Sequence, residues 1–318
     1  MTFSYTIQDW GKKDAITHSA MWKIILYNFL RPWLSRLTTR YLSKKTLEAF
    51  NPTWVLPERG FPIETRRRWA TNNSSLRGKT ILVQGTGTGW DVISWARLKP
   101  AKIVATDLFS FTESWNEISV YCHQRFGVEV CFYQAPLEDH SFLDNESFDL
   151  CASDAVYEHC THLPQVISET YRVLKADGYV YATYGPLWFC ASGNHLERGG
   201  LENVYNHLML DEYAYKQYLN SNRYENEEFQ SGYRYTELGL FSYLTTSEYL
   251  EIFKIAGFIV DDLIFEVSSK ATKFSINYPE KFNEMVKKYS QRCERDDFFI
   301  KANFVRLKKK KAYQDGRM

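Results

Sequence analysis

The sequence predicts an α/β fold built on a doubly wound, mostly parallel sheet. Two observations support this prediction: short apolar runs with strand character alternate with helix-length amphipathic segments, and Gly, Pro, Asn and Asp turn signals separate them. Alternating strands and helices favour a parallel sheet with helices on both faces. With 318 residues, 44% of them hydrophobic, the chain is long and apolar enough to form a proper core.

The first strand–helix–strand unit carries the clearest functional signal. Residues 81–83 form a predicted strand, residues 91–98 a helix, and residues 102–106 a second strand that ends on Asp107. The turn after the first strand contains three glycines: Gly85, Gly87 and Gly89. Glycines let the backbone turn tightly and approach a ligand closely, and a carboxylate can accept two hydrogen bonds from a ribose diol.

The spacing within this unit favours a nucleoside-containing cofactor. Asp107 follows Gly85 by 22 residues, close to the separation of about 20 expected when a helix and a strand intervene. A dinucleotide fingerprint would be G-x-G-x-x-G, whereas this loop is G-x-G-x-G with Trp90 in the place of the last glycine. A tryptophan there would obstruct a pyrophosphate. The loop therefore suits a cofactor without one, and an NAD-type oxidoreductase is the disfavoured alternative; a tight turn plus a surface aspartate is the simpler reading.

Later segments continue the alternation in the same order. Up to residue 184 they are helix 113–126, strand 129–133, strand 148–152, helix 164–174 and strand 179–183. The carboxyl-terminal part adds helix 246–256, strand 258–267, helix 279–293 and strand 298–307.

At these residues the chain resembles the class I S-adenosylmethionine-dependent methyltransferases, whose first motif is a strand followed by G-x-G-x-G and whose second strand ends on an acid. Residues 148–159, F-D-L-C-A-S-D-A-V-Y-E-H, resemble the family's fourth-strand segment, and residues 171–178 resemble its R-x-L-K-P-G-G element. The resemblance covers residues 80–265. It implies a Rossmann-like doubly wound sheet of seven strands with the last one antiparallel, methyltransferase activity, and S-adenosyl-L-methionine as cofactor.

The resemblance also implies which residues hold the cofactor. The first-motif backbone would cradle the methionine part, Asp107 would bind the ribose, and the segment after the third strand would meet the adenine. Asp154 would contact the cofactor or the substrate, or else cap the helix that follows. The residues assigned in this way are Gln84, Gly85, Thr86, Gly87, Gly89, Asp107, Leu108, Leu137, Glu138, Ser153 and Asp154.

Two histidines are candidates for general base, because a hydroxyl acceptor must lose a proton during methyl transfer. His159 follows the fourth strand and His195 lies in the loop after the fifth, although either could be structural. Some quinol-type O-methyltransferases of the family bind a divalent ion through Glu-x-x-Glu-His. Here Ala155 takes the first position, so no metal is expected.

The chain divides into a helical amino-terminal cap, residues 1–70, and a methyltransferase domain, residues 71–318, with an aromatic insertion over 186–245. Residues 191–245 hold ten Tyr and Phe, which favours a lid over the acceptor or a small satellite core. Residues 1–70 contain twelve Lys and Arg against five acids. Their basic amphipathic helix could cover the cofactor cleft, the preferred interpretation, or lie on an anionic membrane.

Composition narrows the function classes further. A net charge of +1 argues against a nucleic-acid binder. The chain has six cysteines without a C-x-x-C pair and no apolar run of membrane-spanning length. This pattern is typical of a cytoplasmic protein, and the basic amphipathic helix adds the alternative of peripheral contact with the membrane. The expected function is methyl transfer to oxygen or nitrogen of a small molecule, glycan or lipid-linked precursor. A catalytically inactive methyltransferase-like scaffold is the alternative from another class.

Overall fold

The computed structural model describes residues 21–58, 61–196, 200–221 and 235–310. Its centre is one eight-stranded sheet with strand order β1-β7-β8-β6-β5-β2-β3-β4. The strands are β1 Trp54–Pro57, β2 Thr80–Gln84, β3 Lys102–Asp107, β4 Glu129–Gln134, β5 Phe148–Asp154, β6 Leu174–Tyr184, β7 Phe258–Val267 and β8 Ile300–Lys309.

Helices cover both faces of the sheet, as expected of a doubly wound fold. They are α1 Met21–Thr39, α2 Lys44–Phe50, α3 Ile63–Ala70, α4 Trp90–Ala96, α5 Thr112–Phe126, α6 Leu163–Val173, α7 Asn206–Met209, α8 Glu212–Ser221, α9 Thr246–Ile255, α10 Ser269–Asn277 and α11 Pro279–Lys288. Sequence patterns did not predict α10, and α11 ends five residues before the predicted end.

The predicted fold class is confirmed, with one correction to the strand count. Strand β8 runs antiparallel to both β6 and β7, and the remaining pairs are parallel. The sheet has eight strands rather than seven because the short segment Trp54–Pro57 pairs with the outer edge of β7. Without β1, the backbone N–H and C=O groups on that edge of β7 would have no strand partner.

The central strands are buried on both faces, which makes the sheet a rigid platform. Ile81 and Val83 pack under α4 and α5, whereas Leu82 points to the other side, where α6 and α9 pack. All three side chains are almost fully buried. Since β2, β3, β5 and β6 are parallel, their carboxyl ends meet at one edge, where open α/β sheets bind their ligands.

The position of α1 overturns the interpretation that its apolar stripe covers the cofactor cleft. The helix continues through Pro32 and packs on β1, through residues such as the buried Ile24. In the sheet, β1 is separated from β2 by four other strands. Most of the stripe therefore faces outward, and Phe29 is 80% exposed, Ile25 63% and Trp22 62%. Among the described residues, no helix combines the length and apolarity needed to span a bilayer.

Candidate functional site

The glycine loop forms an open turn at the carboxyl end of β2. Gly85, Gly87 and Gly89 all have positive φ angles, of 66°, 52° and 93°, which non-glycine residues rarely adopt. A Cβ on Gly85 would lie 2.3 Å from a methyl group of Val156, so this glycine is also required by close packing. A Cβ on Gly87 would meet no atom within 4 Å, so this part of the loop faces open space.

Asp107 fixes the loop from the end of β3. One carboxylate oxygen accepts a hydrogen bond of 2.6 Å from the Gly87 amide, and the other accepts one of 2.9 Å from the Phe109 amide. Trp115 donates from its indole nitrogen to the Gly87 carbonyl, at 2.8 Å. Carboxylate oxygens can each accept more than one hydrogen bond. The open loop and this buried carboxylate therefore fit a ribose-containing cofactor.

Other predicted cofactor residues lie around the same edge in different orientations. The Gln84 side chain is directed into the core, where it donates to Thr170 and accepts from Tyr157, so only its backbone faces the loop. Ser153 is fully buried.

The predicted adenine segment starts beside Asp107, because the Ala135 amide donates to the Asp107 carbonyl. Further along, Leu137 is buried and Glu138 half-buried, whereas Leu108 is exposed. Thr86 is also buried, within the loop itself. The adenine contacts of Leu108, Leu137 and Glu138 stay predictions.

Asp154 has protein partners that the sequence did not reveal. Its carboxylate accepts hydrogen bonds from the buried Arg67 guanidinium at 2.6 Å and from the Tyr181 hydroxyl at 2.7 Å. Arg67 also donates to Ser94 and lies 4.2 Å from the centre of the Trp95 ring. Burial alone would raise the pKa of Asp154, but Arg67 and Arg66 outweigh it and lower that pKa below the usual value.

This ion pair favours a structural role for Asp154. It joins α3 to the end of β5 across 87 residues of sequence. The side chain does not cap the short 3-10 helix Tyr157–His159, which was the alternative from the sequence. Arg67 was missed because an R-R-R-W run is typical of a solvated helix face.

Glu158, His159 and His195 form a compact group at the same edge, which we call the Glu-His-His cluster. One potential ligand atom from each side chain lies within 4.8 Å of those of the other two. The two histidine rings are 4.5 Å apart between centroids. His159 follows β5 and His195 follows β6, so the parallel pairing of these strands brings together residues 36 positions apart.

Backbone carbonyls fix which ring nitrogens carry hydrogen. His159 Nδ1 lies 2.9 Å from the Leu240 carbonyl, and His195 Nε2 lies 3.2 Å from the Pro186 carbonyl. Because a carbonyl only accepts, each of these nitrogens donates, and the opposite nitrogen keeps its lone pair. Burial lowers the pKa of His159 to about 4 and that of His195 to about 3, so both rings are neutral near pH 7.

Glu158 is the most unusual member of the cluster. Its side chain is buried, with the residue 2% exposed, and neither carboxylate oxygen has a hydrogen-bond partner among the described residues. The nearby backbone amides of Gly185 and of Glu158 itself lower the pKa of this carboxyl, but by less than burial raises it. Burial raises the pKa of this carboxyl to about 8.

Part of the predicted lid lies over the cluster. The Tyr235 ring is 3.8 Å from the His159 ring, and the buried Phe241 is 5.5 Å from it. The Ser242 amide donates to the Glu158 carbonyl, at 2.9 Å. Residues 197–199 and 222–234 of the predicted lid lie outside the described residues. The observed contacts make this segment a wall of the site, and its movement stays a prediction.

A cavity of about 450 Å³ lies between α3 and α4. Its lining includes the basic side chains of Arg68, Arg97 and Arg125, and none of the predicted site residues. The chemistry of the loop and cluster, rather than cavity size, therefore locates the site at the carboxyl edge of the sheet.

Comparisons with known proteins agree with this location. Residues 82–182 match the family model described as a methyltransferase domain. That segment runs from β2 to β6 and contains the glycine loop, Asp107 and the end of β5. This match confirms the enzyme class predicted from the sequence, a methyltransferase, and its predicted cofactor, S-adenosylmethionine.

Individual relatives are distant. A curated uncharacterized protein from Haemophilus influenzae is 24% identical over 117 residues, which are 36% of this methyltransferase chain and 46% of that protein. The match thus spans about half of the relative's length.

Solved structures with a similar fold have low identity and low TM-scores. A methyltransferase from Mesorhizobium loti is 14% identical with a TM-score of 0.45, over 77% of this chain and 97% of that one. Phosphoethanolamine N-methyltransferase 2 from Haemonchus contortus gives 16% and 0.46, over 78% and 52%. Geranyl diphosphate C-methyltransferase from Streptomyces coelicolor gives 10% and 0.47, over 77% of each chain. Similarity at this level does not identify an acceptor.

The Arg67–Asp154 ion pair generates a stability prediction. Replacing Arg67 by Met leaves the buried Asp154 carboxylate without its closest cation, and we expect a loss of about 3–5 kcal/mol in the free energy of unfolding. Denaturant titration followed by tryptophan fluorescence measures it. The neighbouring exposed Arg68→Met is the matched control, expected to change stability by less than about 0.5 kcal/mol. Equal stability of the two variants would show that the ion pair is not needed for folding.

Proposed function

We propose that this chain transfers a methyl group from S-adenosylmethionine to an oxygen or nitrogen atom of a small molecule, a glycan or a lipid-linked precursor. One observation carries the proposal: the open glycine loop, held by Asp107, lies next to the Glu-His-His cluster under an aromatic wall. Val156 makes the connection, because it contacts Gly85 and lies two residues before Glu158.

The chain's own residues can perform the tasks that methyl transfer requires. The bound cofactor supplies an electrophilic methyl group on a sulfonium. Asp107 and the Gly85–Gly89 backbone would bind its nucleoside and methionine parts, which fixes the direction in which the methyl group points. The aromatic side chains Tyr235 and Phe241 exclude water from the opposite side, where the acceptor would lie.

His159 and His195 remain the proposed catalytic residues on the acceptor side. Each has one nitrogen lone pair that can accept a hydrogen bond from an acceptor hydroxyl or amine. With pKa values of about 4 and 3, they are weaker bases than an unperturbed imidazole of about 6.5. An aligned amine would need no strong base, whereas a hydroxyl would need help in losing its proton.

The alternatives predict different ligands. An NAD-type oxidoreductase would bind NADH through a diphosphate, which the Trp90 position disfavours. An inactive scaffold would keep the fold without a working cofactor site, and the open Gly87 surface beside Asp107 argues against it.

We further propose peripheral contact with an anionic membrane through α1. The outward stripe contains Trp22, Ile25, Phe29 and Trp33, and the exposed Arg36 and Arg40 follow on the same helix and its end. Large apolar side chains that enter the headgroup region, together with neighbouring basic ones, are typical of interfacial helices. This contact would place a lipid-linked acceptor within reach.

Cofactor binding should depend on Asp107. In Asp107→Asn the charge-assisted hydrogen bonds to ribose are weakened, and at about 1.5–3 kcal/mol per bond we expect a 10- to 100-fold lower affinity for S-adenosylhomocysteine. Isothermal titration calorimetry measures it, with the exposed Asp177→Asn as the matched control. Unchanged affinity in a folded Asp107 variant would refute the ribose assignment, and tighter binding of NADH would refute the cofactor class.

The acceptor atom can be read from the product. S-adenosylmethionine with a ¹³C-labelled methyl group, incubated with the protein and a fractionated cell extract, should yield a new methyl carbon resonance typical of oxygen or nitrogen attachment. A resonance typical of carbon attachment would contradict the proposed acceptor atom. A lack of transfer into small-molecule, glycan and lipid fractions alike, by a protein that binds S-adenosylhomocysteine, would favour the scaffold alternative.

Membrane contact should depend on the exposed aromatic residues of α1. We expect the chain to sediment with phosphatidylglycerol vesicles, and the double variant Phe29→Ser, Trp33→Ser to bind at least tenfold more weakly, because each side chain contributes about 1.5–3 kcal/mol on burial. Tyr213→Ser, at an exposed aromatic residue on α8, is the matched control. If the wild type does not sediment, or all variants sediment equally, α1 is not a membrane contact.

A further inference from the structure

We propose that the Glu-His-His cluster binds one divalent transition-metal ion of the zinc or ferrous type. The ligands would be a carboxylate oxygen of Glu158, Nε2 of His159 and Nδ1 of His195. Two imidazoles and one carboxylate are a donor set that such ions prefer over Mg²⁺ or Ca²⁺, which favour oxygen ligands.

The separation of the donor atoms is close to that of a metal site. One potential ligand atom from each of the three side chains lies within 4.8 Å of those of the other two. Ligands bonded to one ion at about 2.0–2.2 Å are at most about 4.4 Å apart. Small side-chain rotations would close the set around an ion.

The hydrogen bonds behind the two histidines support the same conclusion. Histidines that bind metals donate their other ring N–H to a backbone carbonyl, a carboxylate or water, which fixes the tautomer and the direction of the ring. His159 donates to the Leu240 carbonyl and His195 to the Pro186 carbonyl. Both rings are therefore held in the neutral form with a lone pair on the nitrogen that would bind the ion.

Glu158 provides independent support. A buried carboxylate normally has hydrogen-bond or cation partners, because an unpaired polar group in the interior costs free energy. Neither oxygen of Glu158 has one among the described residues. The cluster has no basic side chain that pairs with this acid within the described part of the chain, since Lys301 pairs with Glu58 instead. A bound cation would provide the missing partner.

His195 also lines a small polar cavity of about 140 Å³, whose other lining residues include Lys270 and Lys301 but neither Glu158 nor His159. A site with three protein ligands can take a water molecule or a substrate oxygen as its fourth ligand, and the ion lowers the pKa of that group. This consequence rests on the proposed methyl transfer: a hydroxyl acceptor bound to the ion would release its proton to solvent more readily, and with a metal bound the two histidines would act as ligands and not as bases. The metal site itself does not depend on it.

Metal binding can be measured without an activity assay. The full chain is treated with a chelator, dialysed, and titrated with Zn²⁺ by calorimetry, with bound zinc counted by elemental analysis. We expect one Zn²⁺ per chain, and no competition from Mg²⁺ at equal concentration. Replacing a group that hydrogen-bonds to a metal ligand typically weakens metal binding about 10- to 100-fold. Glu158→Gln and His195→Ala each remove a ligand itself, so we expect them to weaken zinc binding by at least about 100-fold.

The matched control is His162→Ala, which removes an exposed histidine outside the cluster and should leave zinc binding unchanged. Glu158→Gln keeps the shape of the side chain, so it tests the site even if His195→Ala folds poorly. Affinity for S-adenosylhomocysteine verifies the fold of each variant. No zinc bound by a wild-type protein that binds S-adenosylhomocysteine, or equal zinc binding by all variants, would overturn the metal site. Neither result would affect the proposed methyl transfer.

Discussion

The parallel arrangement of β3, β2, β5 and β6 is the constraint on which the rest of this structure depends. Register pairs Gln84 with Thr106 on one side and with Ser153 on the other, and Asp154 with Thr183 beyond that. Four separate chain segments therefore leave the sheet at the same edge. The glycine loop, the ribose-binding candidate and the Glu-His-His cluster become neighbours because parallel strands end together, although they are spread over more than a hundred residues.

Sequence patterns predicted the parts of this arrangement that are encoded locally. Strand β7 was placed with both ends correct, and the glycine turn and Asp107 followed from spacing within one strand–helix–strand unit. Strand β1 could not be found in this way, because four residues between turn signals carry little periodicity. It is a strand because β7 offers an edge to pair with, and that edge exists only in the folded sheet.

The site was predicted less completely, for the same physical reason. His159 and His195 were identified separately as candidate bases, but their distance from each other and from Glu158 is set by the turns after β5 and β6. No metal was expected, because Ala155 takes the first position of the Glu-x-x-Glu-His pattern. Local spacing could not show that His195, 36 residues after His159, lies beside Glu158. For Asp154 the sequence suggested a ligand contact or a helix cap, and local patterns could not show its ion pair with Arg67, which lies 87 residues earlier.

Asp154 and Glu158 show how the partner, rather than the residue type, decides what a buried acid does. Asp154 is the last residue of β5 and Glu158 follows it by four residues, and both side chains are largely shielded from water. Arg67 and Tyr181 satisfy Asp154, whose pKa is lowered, so its charge is balanced within the protein and serves to join α3 to the sheet. Glu158 lacks such partners among the described residues, and burial raises its pKa to about 8. An acid that the fold leaves unpaired beside two lone-pair nitrogens is suited to a ligand rather than to the core.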